Sequence, residues 1–240
     1  MKREESLLIE SLAKEHITLS SASYTKLFEF LKFLLETNQT FNLTSITDYK
    51  EAIIKHIFDS LAICGLSEFK TAVSIMDVGS GAGLPGIPLA IAYPEKKLAS
   101  VDPVQKKIRF QEQACQNLQI SNFTPIWARA EDLAKQPLHR ESYDLVLARA
   151  LAPMNILVEL TLPFLKAGGF ALLYKGKDYE HELGQSGNAV AILGGEVIHV
   201  IKAELPEDFG TRNIIMIKKI KTTPEKFPRK AGIPQKKPII

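Results

Sequence analysis

The stretch Ile75-Met76-Asp77-Val78-Gly79-Ser80-Gly81-Ala82-Gly83-Leu84-Pro85-Gly86 constrains this chain more than any other. The apolar run of Val73, Ile75, Met76 and Val78, with turn residues behind it, reads as a buried strand. A helix is expected to begin near Ile87, with Pro85 and Pro88 suited to a first turn, where a missing N–H costs nothing. Between them the glycines allow positive φ and a close approach of main chain to a ligand. Strand, glycine turn and helix make a geometry in which a cofactor lies against backbone.

Two cofactor classes fit. Gly81-x-Gly83-x-x-Gly86 matches the dinucleotide fingerprint, in which an acidic residue follows about 20 positions on. The longer pattern, an acidic residue and then G-x-G-x-G, is the one class I S-adenosylmethionine methyltransferases carry after their first strand. On that reading Asp77 and Gly79 face the methionine end of the cofactor. Asp102, closing the next strand, grips a ribose diol through two charge-assisted hydrogen bonds.

The chain has 240 residues, 45% of them hydrophobic and 24% charged, as in an ordinary globular protein with room for a core. The charged N-terminus lacks a signal peptide pattern, and no apolar run approaches the roughly 20 residues that span a bilayer. Two cysteines, Cys64 and Cys115, form no disulfide framework, so a cytoplasmic location is expected. The formal charge of +3 is unevenly spread: residues 218–240 hold eight basic side chains against one acidic, Glu225. A basic tail on a mildly acidic body suggests phosphate contact.

Taken in order, the pattern predicts a helix over 4–15, a second capped by Ser20 or Ser23, and a third capped by Asp48 and stopped by Gly65. Positions 55 and 59 would pair on one face of that third helix. Strands and helices then alternate: strands at 98–101, 124–127, 143–150 and 170–174, helices at 104–118, 154–165 and 178–193. Two paired strands follow near 197–203 and 214–220. The expected architecture is α/β, a doubly wound, Rossmann-like sheet of the class I methyltransferase type with one antiparallel strand and a helical N-terminal extension. Its divisions fall at 1–66 (helical), 67–221 (cofactor-binding) and 222–240 (basic tail). Ligands of such sheets sit beyond the carboxyl ends of the strands, where Gly79, Asp102, Glu131 and Arg149 fall.

Several runs, Phe41-Asn42-Leu43-Thr44, Lys55-His56-Ile57-Phe58-Asp59-Ser60-Leu61, the glycine loop, Ala130-Glu131, Ala148-Arg149-Ala150 and Lys175-Gly176, resemble bacterial 16S ribosomal RNA guanine-N7 methyltransferases. So does the tail from Phe227 to Pro238, and the likeness covers nearly the whole chain. The resemblance implies methylation of a guanine N7 in 16S rRNA with S-adenosylmethionine, with the small ribosomal subunit or its assembly intermediate as partner. It carries cofactor positions over to Gly79, Leu84, Ala130, Glu131 and Arg149; Leu84 stands where the family commonly has phenylalanine. A monomer without metal or membrane is expected.

Chemistry adds to this. Guanine N7 presents an unprotonated lone pair on the major-groove edge, so no general base is needed. The Asp/Asn-Pro-Pro-aromatic motif of exocyclic-amine methyltransferases is missing after the fourth strand. Arg149 is the expected positioning residue, gripping the cofactor carboxylate, guanine or phosphate. Glu131 accepts a hydrogen bond near the adenine or caps a helix. Lys175, Arg229, Lys230, Lys236 and Lys237 are expected to face RNA, with the tail extended and ordering on it. His56 reads as a hydrogen-bonded helix residue. A nicotinamide-dependent oxidoreductase and a non-catalytic RNA-binding factor with a cofactor fold remain alternatives.

Overall fold

The computed structural model describes residues 3–149 and 151–239. Ala150, part of the expected fourth strand and of one motif above, lies outside the described residues, as do Met1, Lys2 and Ile240.

Helices α1 (Arg3–Lys14) and α2 (Ser21–Asn38) open the chain. Of the two serines, Ser20 caps α2, its side chain accepting from the Ser23 N–H at 3.0 Å. Asp48 caps the next helix, accepting from the Glu51 N–H at 2.8 Å. That helix runs as α3 (Tyr49–Ala52), a π-helical stretch (Ile53–Phe58) and α4 (Asp59–Leu61). It ends at Leu61, short of Gly65. Lys55 pairs not with Asp59 but with Glu51, at 2.7 Å. A wider π turn breaks the i,i+4 alignment and leaves Asp59 for other partners.

After α5 (Ser67–Thr71) come β1 (Ser74–Val78), α6 (Gly86–Ala92), β2 (Lys97–Asp102), α7 (Gln105–Asn117), β3 (Phe123–Trp127), α8 (Ala130–Leu133) and β4 (Tyr143–Arg149). Then follow α9 (Met154–Thr161), β5 (Leu165–Lys175), α10 (Tyr179–Ile192), β6 (Gly195–Glu204), β7 (Thr211–Lys219) and the single turn α11 (Ile233–Lys236). The sheet order is β3-β2-β1-β4-β5-β7-β6, with β7 antiparallel to both its neighbours and every other pairing parallel. The direction of winding reverses between β1 and β4, which places a ligand crevice at their carboxyl ends.

Helix α9 is shorter than its apolar pattern implied. It stops at Thr161, Pro163 lies in a 3-10 turn, and β5 already starts at Leu165. Gly168 and Gly169 therefore lie inside β5, in an irregularity opposite Tyr143 and Leu145. A Cβ on Gly169 would stand 2.7 Å from the Asp144 carbonyl oxygen, which is why the strand takes glycine there.

Alternation along the strands feeds two cores. Ile75, Leu145, Leu147, Leu172 and Met216 share one with the N-terminal helices (Leu12, Phe30, Leu34, Ile57) and α6. Met76, Val78, Val146, Ala148, Leu173 and Ile215 face the other, closed by α9, α10 and Phe227. Phe227 shows that the tail is folded onto the body rather than extended. The Thr223 N–H donates to Glu141 at 2.7 Å, and Arg140 donates to the Phe227 and Thr223 carbonyls at 2.9 and 2.8 Å. Lys219, with no solvent exposure, donates to the Leu162 carbonyl at 2.7 Å and pairs with Glu141; burial pushes its ammonium down to about 8.

Candidate active site

The glycine loop is braced by two carboxylates. Asp77 Oδ2 accepts from the Ser80 hydroxyl at 2.7 Å and from the Gly86 N–H at 2.9 Å. Asp102 accepts from the Gly81 N–H through Oδ2 at 3.0 Å and from the Val104 N–H through Oδ1 at 2.9 Å. Both side chains are buried. Asp77 Oδ2 thus points into the loop, while its buried Oδ1 has no described partner. Burial pushes its carboxyl up to about 6, against the lowering pull of its two hydrogen bonds and Arg149. Asp102 spends one lone pair of each oxygen on the turn, and the Lys107 ammonium stands 3.8 Å from its Oδ2.

Gly79, at φ +69°, closes the end of β1; a Cβ there would lie 2.5 Å from Leu151 Cδ1. Nothing stands within 4 Å of the corresponding position on Gly81, whereas that of Gly83 is filled by Ile87. Leu84, expected in a cofactor wall, is buried in the core shared with the N-terminal helices. The turn that bonds its N–H to the Ser80 carbonyl at 2.9 Å carries the chain away from the crevice at this point.

The crevice itself is lined by Val78, Gly79, Val101, Pro103, Arg129, Ala130, Glu131, Leu151, Ile156 and Leu160, and by Pro234 and Gln235 from the tail. Apolar walls from Val101, Pro103 and Ile156 suit a flat base, and Glu131 supplies one carboxylate. Glu131 does not cap α8; its Oε1 accepts from the Gly232 N–H at 3.0 Å. These residues fit an adenosyl cofactor in kind. The free space is about 100 Å³, below the roughly 300 Å³ at which ligand pockets begin. Trp127, the chain's one tryptophan, stands 59% exposed nearby, its Nε1–H on the Pro103 carbonyl at 3.1 Å.

Arg149 does not enter this crevice. It lines a neighbouring cavity of about 390 Å³ together with Thr44, Lys55, His56, Tyr174, Lys175 and Arg212. Its Nη1 donates to the Lys55 carbonyl and to Asp59 Oδ2, both at 3.0 Å, and Arg212 Nε reaches the same Asp59 oxygen at 3.0 Å. Three buried polar atoms cluster around this pair without a described partner: Asp59 Oδ1, His56 Nδ1 and Tyr174 Oη. Burial, helped by the Arg149 charge, pushes the His56 imidazolium down to about 4, so the ring is neutral at pH 7. Its Nε2 lies 2.9 Å from Thr44 Oγ1.

Two expected RNA contacts are committed elsewhere. The Lys175 ammonium is ion-paired with Glu182 and donates to the Ala152 carbonyl at 2.8 Å, with its side chain only 8% exposed. Arg229 forks onto the fully buried Glu159, Nε to Oε1 at 2.9 Å and to Oε2 at 3.1 Å. Lys230, Lys236 and Lys237 are exposed. Sequence reasoning missed Arg212, Asp59, Leu151, Pro234 and Gln235 as site residues. Arg212 carried no local signal beyond standing at the head of an apolar strand.

Among the described residues no group of three or more His, Cys, Asp or Glu is placed to hold a metal ion, and no helix is long and apolar enough to cross a membrane. The family model for rRNA small subunit methyltransferase G matches residues 23–214. A relative of that name from Alkaliphilus oremlandii is 41% identical over 233 residues, covering 97% of this chain and 98% of the relative. Another, from Oceanobacillus iheyensis, is 39% identical over 239 residues and covers 100% of both. Among solved structures, cofactor-bound Rv0187 from MTB shares the fold, with a TM-score of 0.60 at 12% identity over 81% of this chain and 91% of that one. The oxidoreductase alternative left open by the glycine loop gives way here. With its braced loop, its crevice at the β1/β4 reversal and this end-to-end similarity, the chain belongs to the rRNA small subunit methyltransferase G family.

Proposed function

We propose that the protein transfers a methyl group from S-adenosylmethionine to N7 of a guanine in 16S ribosomal RNA, in the small subunit or an assembly intermediate of it. The supporting observation is Arg149. At the end of β4, where attack through an exocyclic amine calls for a hydrogen-bond acceptor, this chain holds a guanidinium fixed by Asp59.

When bound in the crevice, S-adenosylmethionine would supply the methyl group as a sulfonium electrophile for the guanine N7 lone pair, with the carbon–sulfur pair retained by the neutral thioether that leaves. No proton leaves N7, so the chain's task is alignment. Gly79, Ala130 and Glu131 border the cofactor crevice. Arg149 and Arg212 engage Asp59 through Nη1 and Nε, leaving other guanidinium N–H groups for guanine O6 or RNA phosphate. Neutral His56 adds no positive charge to the cavity that already holds Arg149 and Arg212. Lys230, Lys236 and Lys237 contact the RNA backbone. The protein acts as a monomer in the cytoplasm, which light scattering and cell fractionation test.

The deciding experiment incubates the purified protein with S-adenosylmethionine and unmethylated small subunits, then maps methylation by nucleoside mass spectrometry and by strand cleavage at N7-methylguanosine. A single N7-methylguanosine is expected. A methyl group on an exocyclic amine or on adenine would overturn the reading.

A further inference from the structure

The tail carries two features that the reading above leaves unconnected. Its inner side closes the cofactor crevice: Pro234 and Gln235 form a wall, and the Gly232 N–H occupies Glu131 Oε1 at 3.0 Å. Its outer side exposes Lys230, Lys236 and Lys237. The segment is held unevenly. Through residue 229 it is fixed by buried Phe227, by Arg140 on its carbonyls, and by Arg229 on Glu159, where the Arg229 N–H also donates to Oε1 at 2.8 Å. Beyond that point the described hydrogen bonds from the segment to the rest of the protein thin to the Gly232–Glu131 bond, with Arg229 Nη1 on the Lys237 carbonyl at 2.7 Å inside the tail. The remaining hold is apolar, from buried Pro234 and from Ile239 against the second core. With this segment in place the crevice keeps only about 100 Å³.

We infer that residues 230–239 are a lid over the cofactor crevice, hinged at the Arg229–Glu159 anchor, and that RNA holds it shut by gripping Lys230, Lys236 and Lys237. The inference rests on the cofactor and RNA reading above. A nucleoside-sized ligand cannot enter past Pro234 and Gln235 unless the lid leaves Glu131. Closed over the ligand, the lid fixes its three lysines as one array that meets phosphates. A polyanion that prefers the closed state tightens ligand binding and slows its release, and by linkage the ligand tightens RNA binding by the same factor as RNA tightens the ligand's.

The test follows S-adenosylhomocysteine release by Trp127 fluorescence in stopped flow. It compares the full chain, a chain ending at Gly232 that keeps the Arg229 anchor, and a Lys230→Gln/Lys236→Gln/Lys237→Gln variant. Release should be about tenfold faster from the shortened chain, since losses of contact are read mostly in off-rates. A 16S rRNA transcript should slow release from the full chain about fivefold or more, and this effect should vanish in the lysine variant. Hydrogen exchange of residues 233–237 should slow when S-adenosylhomocysteine binds, a readout that needs no truncation.

Equal release from the full and shortened chains, or unchanged exchange, would sink the lid. An RNA effect that is missing from the full chain, or kept by the lysine variant, would sink the coupling. A full chain that binds no S-adenosylhomocysteine in calorimetry would bring down the cofactor reading itself, a different failure.

Discussion

Asp59 holds Arg149 at 3.0 Å from a carboxylate with no solvent exposure, and through the same Oδ2 it holds Arg212. Asp59→Asn keeps the shape and removes the charge that reconciles two guanidiniums. Breaking such a buried arrangement from one side should cost about 3–5 kcal/mol of stability in urea denaturation. Methylation, assayed where the variant is folded, should fall about 100-fold because both arginines lose their position. Affinity for S-adenosylhomocysteine should persist, since the crevice lies apart from this cavity. Full methylation by a folded Asp59→Asn variant would refute the positioning role.

Arg149→Ala leaves Asp59 still paired with Arg212, so the stability loss should stay near about 2 kcal/mol. The methylation rate should fall about 100-fold. Arg149→Lys should rescue little, because an ammonium cannot reproduce a planar fork. Thermal melts and single-turnover assays on the same preparations would separate the effects. Equal loss of both would return Arg149 to a purely structural part.

Asp77 predicts a pH signature. Its carboxyl is raised from 3.8 to about 6, so between those values the folded chain keeps a proton that the unfolded chain releases. Stability from this group is therefore present below the lower value and lost as pH rises through the upper one. Asp77→Asn cannot titrate and should gain about 2 kcal/mol relative to the parent between pH 4 and pH 7. His56, pushed down to about 4, tilts stability the opposite way in both chains and cancels from the difference. Urea titrations at the two pH values measure it, and a flat difference would contradict the buried placement of Asp77.

Arg229→Ala strands the buried Glu159 carboxylate and should cost about 3–5 kcal/mol. Replacing both partners with apolar residues, Arg229→Met with Glu159→Leu, should recover most of that loss, as buried ion pairs are readily exchanged for packing. A double-mutant cycle in denaturant gives the coupling. Near-additive losses would show that the fork contributes little.

The strands were legible because each is an apolar run bounded by turn residues, and Ser20 and Asp48 announced two helix starts. Side-chain direction was not legible. Asp77, Leu84 and Lys175 stand at the expected positions along the chain, yet turn into the loop, the core and a salt bridge with Glu182. The π stretch was hidden as well, since Ile53, Ile54, Ile57 and Phe58 satisfy an α-helical pattern equally well. The tail misled most. Its Pro, Gly and Lys content describes an extended chain, but its order comes from Glu159 and Glu131, 70 and 101 residues away in sequence. Composition cannot report partners at that distance.

The Asp59 junction also ties together parts of the chain that lie far apart in sequence. Its two arginines follow 90 and 153 residues later, and the bond that closes the crevice arrives only with Gly232. Neither the cavity nor the crevice is a local structure: a fragment that lacked β7 or the tail would keep the glycine loop and most of the sheet, yet hold Asp59 with one guanidinium fewer and Glu131 without its Gly232 partner.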